Sequence, residues 1–377
     1  MLGADRLHLR GIVLPDGQHR DIWVVDGLVR LEPVRDAITL ANGCYLVPGL
    51  VDAHCHVGLE ADGAVPKDVA EQHALAERAA GALLLRDAGS PADTRWIDDR
   101  DDLPRLIRAG RHIARPKRYL RNYGAEVEPD ELVAEVERQV ARGDGWVKLV
   151  GDWIDREPGD LAPLWPVGAA RAAIERAHEL GARVTAHVFG EQAVAELVEA
   201  GIDGIEHGTG ISPEVIAVMA ERQVALVPTM LQLDNFERYA QQGQARFPRY
   251  AAHMRALHAR RLDTFAAAHD AGVPIYAGTD AGGYLPHGLV AQEIAALAPI
   301  LGSEGALAAG SWAARRWLGR PDSLVDGAPA DLIVLDADPR RDLAVLRAPR
   351  YVILRGRVVE AGAERWPRPG PNGPDTP

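Results

Sequence analysis

Cysteine is scarce in this chain, with two among 377 residues, Cys44 and Cys55. Two thiols give no disulfide framework, so the expectation is a pair of buried thiols in a reducing compartment. A basic footprint is also missing. Lys and Arg number 42 against 54 Asp and Glu, a formal charge of −12, which argues against nucleic acid and anionic membranes as partners. No apolar run approaches the roughly 18 residues of a membrane helix. The first residues, MLGADRLHLRGIVL, lack a basic segment leading into a long apolar core and a cleavage site. The expectation is a cytoplasmic protein with a small-molecule partner, homo-oligomerisation being left open. Finally, no Gly-rich dinucleotide fingerprint follows any expected strand, which argues against a doubly wound nucleotide-binding sheet.

What is present has two textures. Residues 1–46 hold short alternating segments around the turn pairs Asp16-Gly17 and Asp26-Gly27, the signature of hairpins in a small antiparallel sheet. DLIVLDAD and YVILRGRVVEAG repeat that style within residues 323–365. One discontinuous β-sandwich domain built from both ends is therefore expected. Residues 366–377, rich in Pro and Gly, read as a disordered tail. Between the ends, over residues 47–322, strand and helix alternate. Strands are expected at Val47–Val57, Ala82–Asp87, Arg115–Leu120, Trp146–Val150, Val184–Val188, Gly204–His207, Val224–Thr229 and Ile275–Asp280. Eight such units predict a (β/α)8 TIM barrel in the α/β class, whose chemistry sits at the carboxyl ends of the strands.

Those ends carry a consistent set of side chains. In LVPGLVDAHCHVG, Leu46 to Gly58, the spacing of His54 and His56 puts both imidazoles on one face of a strand and aims Cys55 at the other. Lys148 lies within the fourth expected strand (WVKLVG), His187 closes the fifth (VTAHVFG), His207 the sixth (GIEHGTG), and Asp280 the eighth (YAGTDAGG). Taken singly, His187 and His207 are equally readable as satisfied interior imidazoles and Asp280 as a helix cap. Their joint placement at strand ends argues for a shared site. Lys148 is the most telling, because an ammonium in a strand buried on both faces is costly without a partner. His253, His258 and His269, on the long helix near Arg249–Ala271, read as solvated or packing residues.

The ordered set PGLVDAHCHV, LLRDAGS, WVKLVG, VTAHVFG, GIEHGTG, VPTM and GTDAGG resembles the amidohydrolase superfamily, in particular its prolidase-type and imidazolonepropionase-like branch. The resemblance implies a metal-dependent hydrolase in which Lys148 is carbamylated (N6-carboxylated) and bridges two divalent ions. It implies His54, His56 and Asp280 as ligands of one ion and His187 and His207 of the other. Zinc suits such mixed ligands, with manganese or cobalt as alternatives. The implied reaction is attack of a metal-activated water on an amide, with Asp280 as catalytic acid and base, and the implied substrate a dipeptide or N-acyl amino acid. Substrate contacts are expected from Tyr119, Arg121 and Tyr123 (RYLRNYG), Asp152 and Trp153 (GDWID), and Tyr284 and His287 (GGYLPHG). The segment after the third expected strand, RNYGAEVEP, carries no histidine, a departure from the prolidase-type pattern. Three alternatives stay open: a one-metal cyclic amidohydrolase or deaminase, a lactonase or esterase, and a catalytically silent scaffold.

Overall fold

A computed structural model describes residues 6–361. The expected tail lies outside these residues. Arg6–Val13 and Gln18–Val25 form an antiparallel hairpin, and Leu28–Arg30 adds to it through the Asp26-Gly27 turn. Asp26 and Gly27 have φ of 52° and 77°, the left-handed pair that a tight two-residue hairpin requires. The expectation of a wholly antiparallel sheet does not hold. Ile38–Pro48 lies parallel to Arg6–Val13, because the chain leaves the three-stranded meander and returns on the other side of its first strand.

Leu332–Leu335, Tyr351–Leu354 and Arg357–Ala361 extend the same sheet beyond Ile38–Pro48, so the two ends of the chain share seven strands. Period-two alternation divides their side chains between two cores. Leu46, Leu332, Val334, Tyr351 and Ile353 face a core within this sheet unit, whereas Val47, Ile333, Leu335, Val352 and Leu354 pack against the large central domain.

That domain begins as Gly49 separates Ile38–Pro48 from Leu50–Glu60. Leu50–Glu60, Ala82–Asp87 and Arg105–Arg108 run parallel, as do Trp146–Val150, Arg183–Val188, Gly204–His207 and Ala225–Val227. The third strand is thus Arg105–Arg108, with a short continuation at Ile113–Ala114, and the expected Arg115–Leu120 is not a strand. Arg115–Leu120 has an apolar end and no partner ladder, whereas the shorter Arg105–Arg108 is hydrogen-bonded to its neighbour over all four residues.

The ring closes through the irregular segment 274–280 in place of a regular eighth strand. On one side Leu226 donates to Pro274 O and Tyr276 donates to Leu226 O; on the other Ala53 donates to Ala277 O and Asp280 to His54 O. Helices including Lys67–Ala79, Val167–Glu179 and the 23-residue Pro248–Asp270 surround the ring. Among the described residues no helix is long and apolar enough to cross a membrane.

Gly11 is the tight point of the terminal sheet. A Cβ there would lie 2.1 Å from the carbonyl oxygen of Cys44 on the parallel neighbour, so one strand must shift to admit it. Gly11→Ala is expected to cost about 3 kcal/mol, read as a lower denaturation midpoint. Gly168→Ala, in a helix with open space around the site, is expected to be neutral or to stabilise by up to about 1 kcal/mol. Equal midpoints for the two variants would contradict this packing.

Candidate metal centre

Five carboxyl-end segments bring their side chains to one point. His54 and His56 come from the first strand, Lys148 from the fourth, His187 from the fifth, His207 from the sixth, and Asp280 from the closing segment. Asp280 Oδ1 lies 3.1 Å from His54 Nε2 and 2.9 Å from His56 Nε2. The two Nε2 atoms are 3.2 Å apart, and Lys148 Nζ is 3.4 Å from that of His54. His187 Nδ1 and His207 Nε2 are 3.0 Å apart. Ligating atoms of His54, His207 and Asp280 all lie within 4.8 Å of one another. Cys55 points away, its thiol near the carbonyl of Arg86.

The outward-facing atoms decide what the inward-facing ones offer. His54 Nδ1 lies 2.7 Å from Glu206 Oε2 and His56 Nδ1 is 2.6 Å from the Gly89 carbonyl. The Gly89 carbonyl accepts a hydrogen bond from His56 Nδ1, and the Glu206 carboxylate faces His54 Nδ1 as a close ion-pair contact that lacks hydrogen-bond alignment. Since both oxygens only accept, each ring keeps its proton on Nδ1 and turns a bare Nε2 inward. His207 Nδ1 is 2.7 Å from Thr229 Oγ1, whose own proton goes to Pro228 O, which fixes the same tautomer. Histidines that hold metals are oriented this way, by a hydrogen bond from the nitrogen that does not ligate. Burial reinforces the pattern: it lowers His56, pushes His187 well down, and brings His207 down to about 3. Neutral imidazoles with converging lone pairs and a carboxylate between them fit a divalent cation of the zinc class.

Charge is arranged beneath the ligands. Burial alone would raise both Asp280 and Glu206, yet both are held well below the usual carboxylate range, Asp280 by His54, His56 and His207 and Glu206 by Arg86, His54 and Lys148. Arg86, fully buried, donates from Nη2 to Glu206 Oε1 at 2.6 Å and from Nε to Ala53 O at 2.7 Å, and Thr185 donates to the same carboxylate. Burial lowers Lys148 to about 8 against the pull of Glu206 and Asp280. Asp52 joins first strand to last, accepting from His54 N, Thr279 N and Thr279 Oγ1. Gly278 lets the closing segment pass, since a Cβ there would sit 2.6 Å from that of His54. His207, Thr229 and Asp280 all adopt left-handed φ, 67°, 53° and 58°, a cost of order 1–3 kcal/mol each that clusters at functional sites.

A cavity of 460 Å³ opens over His187, His207 and Asp280. Of the expected substrate contacts, Tyr119, Trp153 and Tyr284 line it. Tyr123 is buried beside it, its ring 6.1 Å from that of Tyr119. Arg121, Asp152 and His287 are not brought to it. Arg121 lines a separate surface depression. Asp152 is fully buried and accepts from Phe189 N and Gly190 N, anchoring the turn after the fifth strand. His287 Nδ1 pairs with the buried Glu77 at 2.9 Å, and its ring stacks on His73 at 4.3 Å.

Several residues escaped the sequence reading. Arg86 and Glu206 were open to the argument applied to Lys148, being charges inside buried strands. His112 was missed through the misplaced third strand. It follows Arg105–Arg108, is buried, stacks on His56 at 4.9 Å and adjoins Tyr119, so a histidine does come after the observed third strand.

Two measurements test this geometry. Glu206→Gln is expected to weaken zinc binding about 10- to 100-fold in chelator competition; unchanged affinity would contradict the role given to Glu206. In the metal-free protein His207 stays neutral when folded but takes up a proton below about pH 6.5 once unfolded. It therefore costs stability as pH falls from 6.5 towards 3. Between pH 7 and pH 5 the loss in unfolding free energy is expected to be about 2 kcal/mol smaller in His207→Asn than in the native sequence.

Comparison with known proteins agrees with this architecture. Residues 45–359 match the model of the Amidohydrolase family. An uncharacterized protein of Mycobacterium tuberculosis is 56% identical over 357 residues, 94% of this chain and 96% of its own length. A putative prolidase from Bifidobacterium longum superposes with a TM-score of 0.80 at 23% identity, covering 96% of each chain. Ochratoxinase from Aspergillus niger gives 0.77 at 19% identity, covering 96% of this chain and 98% of its own. With 315 residues inside the family model and a ligand-competent cluster at its strand ends, the chain belongs to the amidohydrolase family and is a hydrolase of carbon–nitrogen bonds.

Proposed function

We propose that the protein cleaves the amide bond of a small carboxylate-bearing molecule, such as a dipeptide or N-acyl amino acid, with two divalent ions held by His54, His56, Lys148, His187, His207 and Asp280. The observation that carries this is the inward convergence of imidazole Nε2 atoms around one ionised carboxylate, with an oxygen atom within 2.7 Å of each outer nitrogen of His54, His56 and His207. Zinc is the metal of choice, manganese or cobalt the alternatives. Bound there, the ions would supply an activated water and polarise the scissile carbonyl.

The remaining steps fall to the chain. Asp280, kept ionised by its imidazole neighbours, takes a proton from the attacking water and returns it to the leaving nitrogen. Lys148, with its amine partly neutral near pH 8, bonds through Nζ to carbon dioxide, loses a proton and becomes an anionic oxygen ligand. Tyr119, Trp153 and Tyr284 present apolar surface to the substrate body and exclude water from the reacting carbonyl. The names of the structural relatives, a putative prolidase and an ochratoxinase, support amide hydrolysis. On this reading residues 47–322 form the catalytic barrel, and the sheet of both ends is a β-sandwich-like brace.

Purified holoenzyme is expected to contain two ions per chain by plasma mass spectrometry, and native mass spectrometry to show the added mass of one carbon dioxide. One ion per chain on an unmodified lysine would favour the one-metal alternative. Asp280→Asn is expected to lower kcat at least about 100-fold. Hydrolysis of lactones but of no dipeptide, N-acyl amino acid or cyclic amide in a substrate panel would overturn the amide assignment.

A further inference from the structure

The cavity above the centre differs in charge from the chain around it. The formal charge of the protein is −12, yet among the described residues the only carboxylate lining this cavity is Asp280, while Arg238 and Arg246 both line it. The two arginines come from the long excursion between the seventh strand and Pro248–Asp270, which also supplies Tyr239 and Phe247. This excursion is pinned at its start by the buried Glu293, which accepts from Met230 N and Leu231 N. Arg238 spans two aromatic rings, its guanidinium carbon 5.4 Å from the Tyr239 ring and 5.5 Å from that of Tyr284. Arg246 lies 5.1 Å from the Phe247 ring.

Neither arginine forms an ion pair among the described residues, although close by Arg255 is paired with Glu237 and Arg260 with Glu191. Both are exposed, whereas His187 and His207 at the other side of the cavity are buried. The cavity therefore has a buried end built for the scissile bond, aromatic walls, and an exposed cationic rim.

Resting on the amide-hydrolase reading, we infer that Arg238 and Arg246 form an anion subsite at the rim. The substrate class it selects is an amide whose apolar or aromatic body extends from the scissile bond and ends in a carboxylate remote from it. The planar guanidinium suits a carboxylate, stacking on aromatic faces limits its freedom in advance, and a cationic patch at the mouth of a low-dielectric cavity focuses an anion towards it. Among the described residues that line the rim there is no carboxylate to oppose the substrate anion.

Two arms test the inference with zinc-loaded, full-length protein. In the first, calorimetry compares 6-phenylhexanoate with 6-phenylhexan-1-ol. The carboxylate is expected to bind more tightly, and Arg238→Ala and Arg246→Ala to weaken it roughly 2- to 5-fold each without changing the alcohol. Added salt should weaken the carboxylate alone. In the second, N-benzoyl-6-aminohexanoate is compared with N-benzoylglycine and N-hexylbenzamide. The longer carboxylate is expected to have the lowest KM, and Arg238→Ala to raise that KM while leaving N-hexylbenzamide unchanged; Arg238→Lys should restore part of the loss. Equal losses on charged and neutral probes, or none on either, would overturn the subsite. Arginine-dependent binding without cleavage of any amide would retain the subsite and refute the reaction.

Discussion

The interaction on which the centre depends is the buried contact of Glu206 with His54 and Arg86. An imidazole inside a barrel has two nitrogens and no solvent, so its free lone pair must be assigned by whatever faces the other nitrogen. Glu206 does this for His54 at 2.7 Å. A buried carboxylate is itself costly, and Arg86 offsets that cost at 2.6 Å while also tying its strand to the carbonyl of Ala53. The guanidinium in turn lies 4.7 Å from the Trp146 ring. The chain of dependence runs from barrel floor to ligand: ring, guanidinium, carboxylate, imidazole. Removing one partner from such a pair leaves an uncompensated buried charge, which is worse than never having built the pair.

The fold supplies the second half of the constraint by bringing first strand and last segment into register. Asp52 accepts from backbone groups of both, at His54 and Thr279, and Asp280 donates its own amide to His54 O at 2.7 Å. His54 and Asp280 are therefore neighbours by backbone pairing before their side chains meet. The cost appears in the left-handed φ of His207, Thr229 and Asp280. Each turns a side chain inward at the point where a strand would otherwise continue, and the surrounding ladders must over-determine it. The irregularity of 274–280 belongs to the same bargain, since a regular strand would not deliver Asp280 at this angle.

Much of this was legible because buried strands announce themselves as short apolar runs ending in chemistry. Seven of the eight expected strands coincide with strands or with the closing segment, and five of the six candidate ligands are legible from strand ends, Lys148 from within a strand. The third strand failed for a physical reason: Arg105–Arg108 contains two arginines, one paired at 2.9 Å with both Asp98 and Asp144, so its pattern reads as surface. Asp152 and His287 were nominated for being polar on loops, whereas one anchors backbone amides and the other pairs with Glu77. Polarity after a strand does not tell a residue that faces a cavity from one that staples the loop behind it. Arg238 was invisible for the opposite reason, because Phe236–Gly243 looks like an ordinary amphipathic helix until its position over the barrel is known, and Arg246 lies in the polar stretch that follows it.

The balance of charge around the centre gives Lys148 its significance. Burial raises Asp87 and Asp152 to about 7 and Glu293 to about 8, so these carboxyls carry only part of their negative charge near neutrality. Glu206 is ionised but matched by Arg86. That leaves Asp280 as the one anionic ligand, with the Lys148 amine adding positive charge nearby. As an ammonium Lys148 would oppose any cation held by the imidazoles; as a carbamate on the proposed reading it reverses sign and changes the local charge by two. A barrel that keeps its other acids partly neutral or paired makes the state of this one nitrogen decide whether the site favours one divalent ion or two.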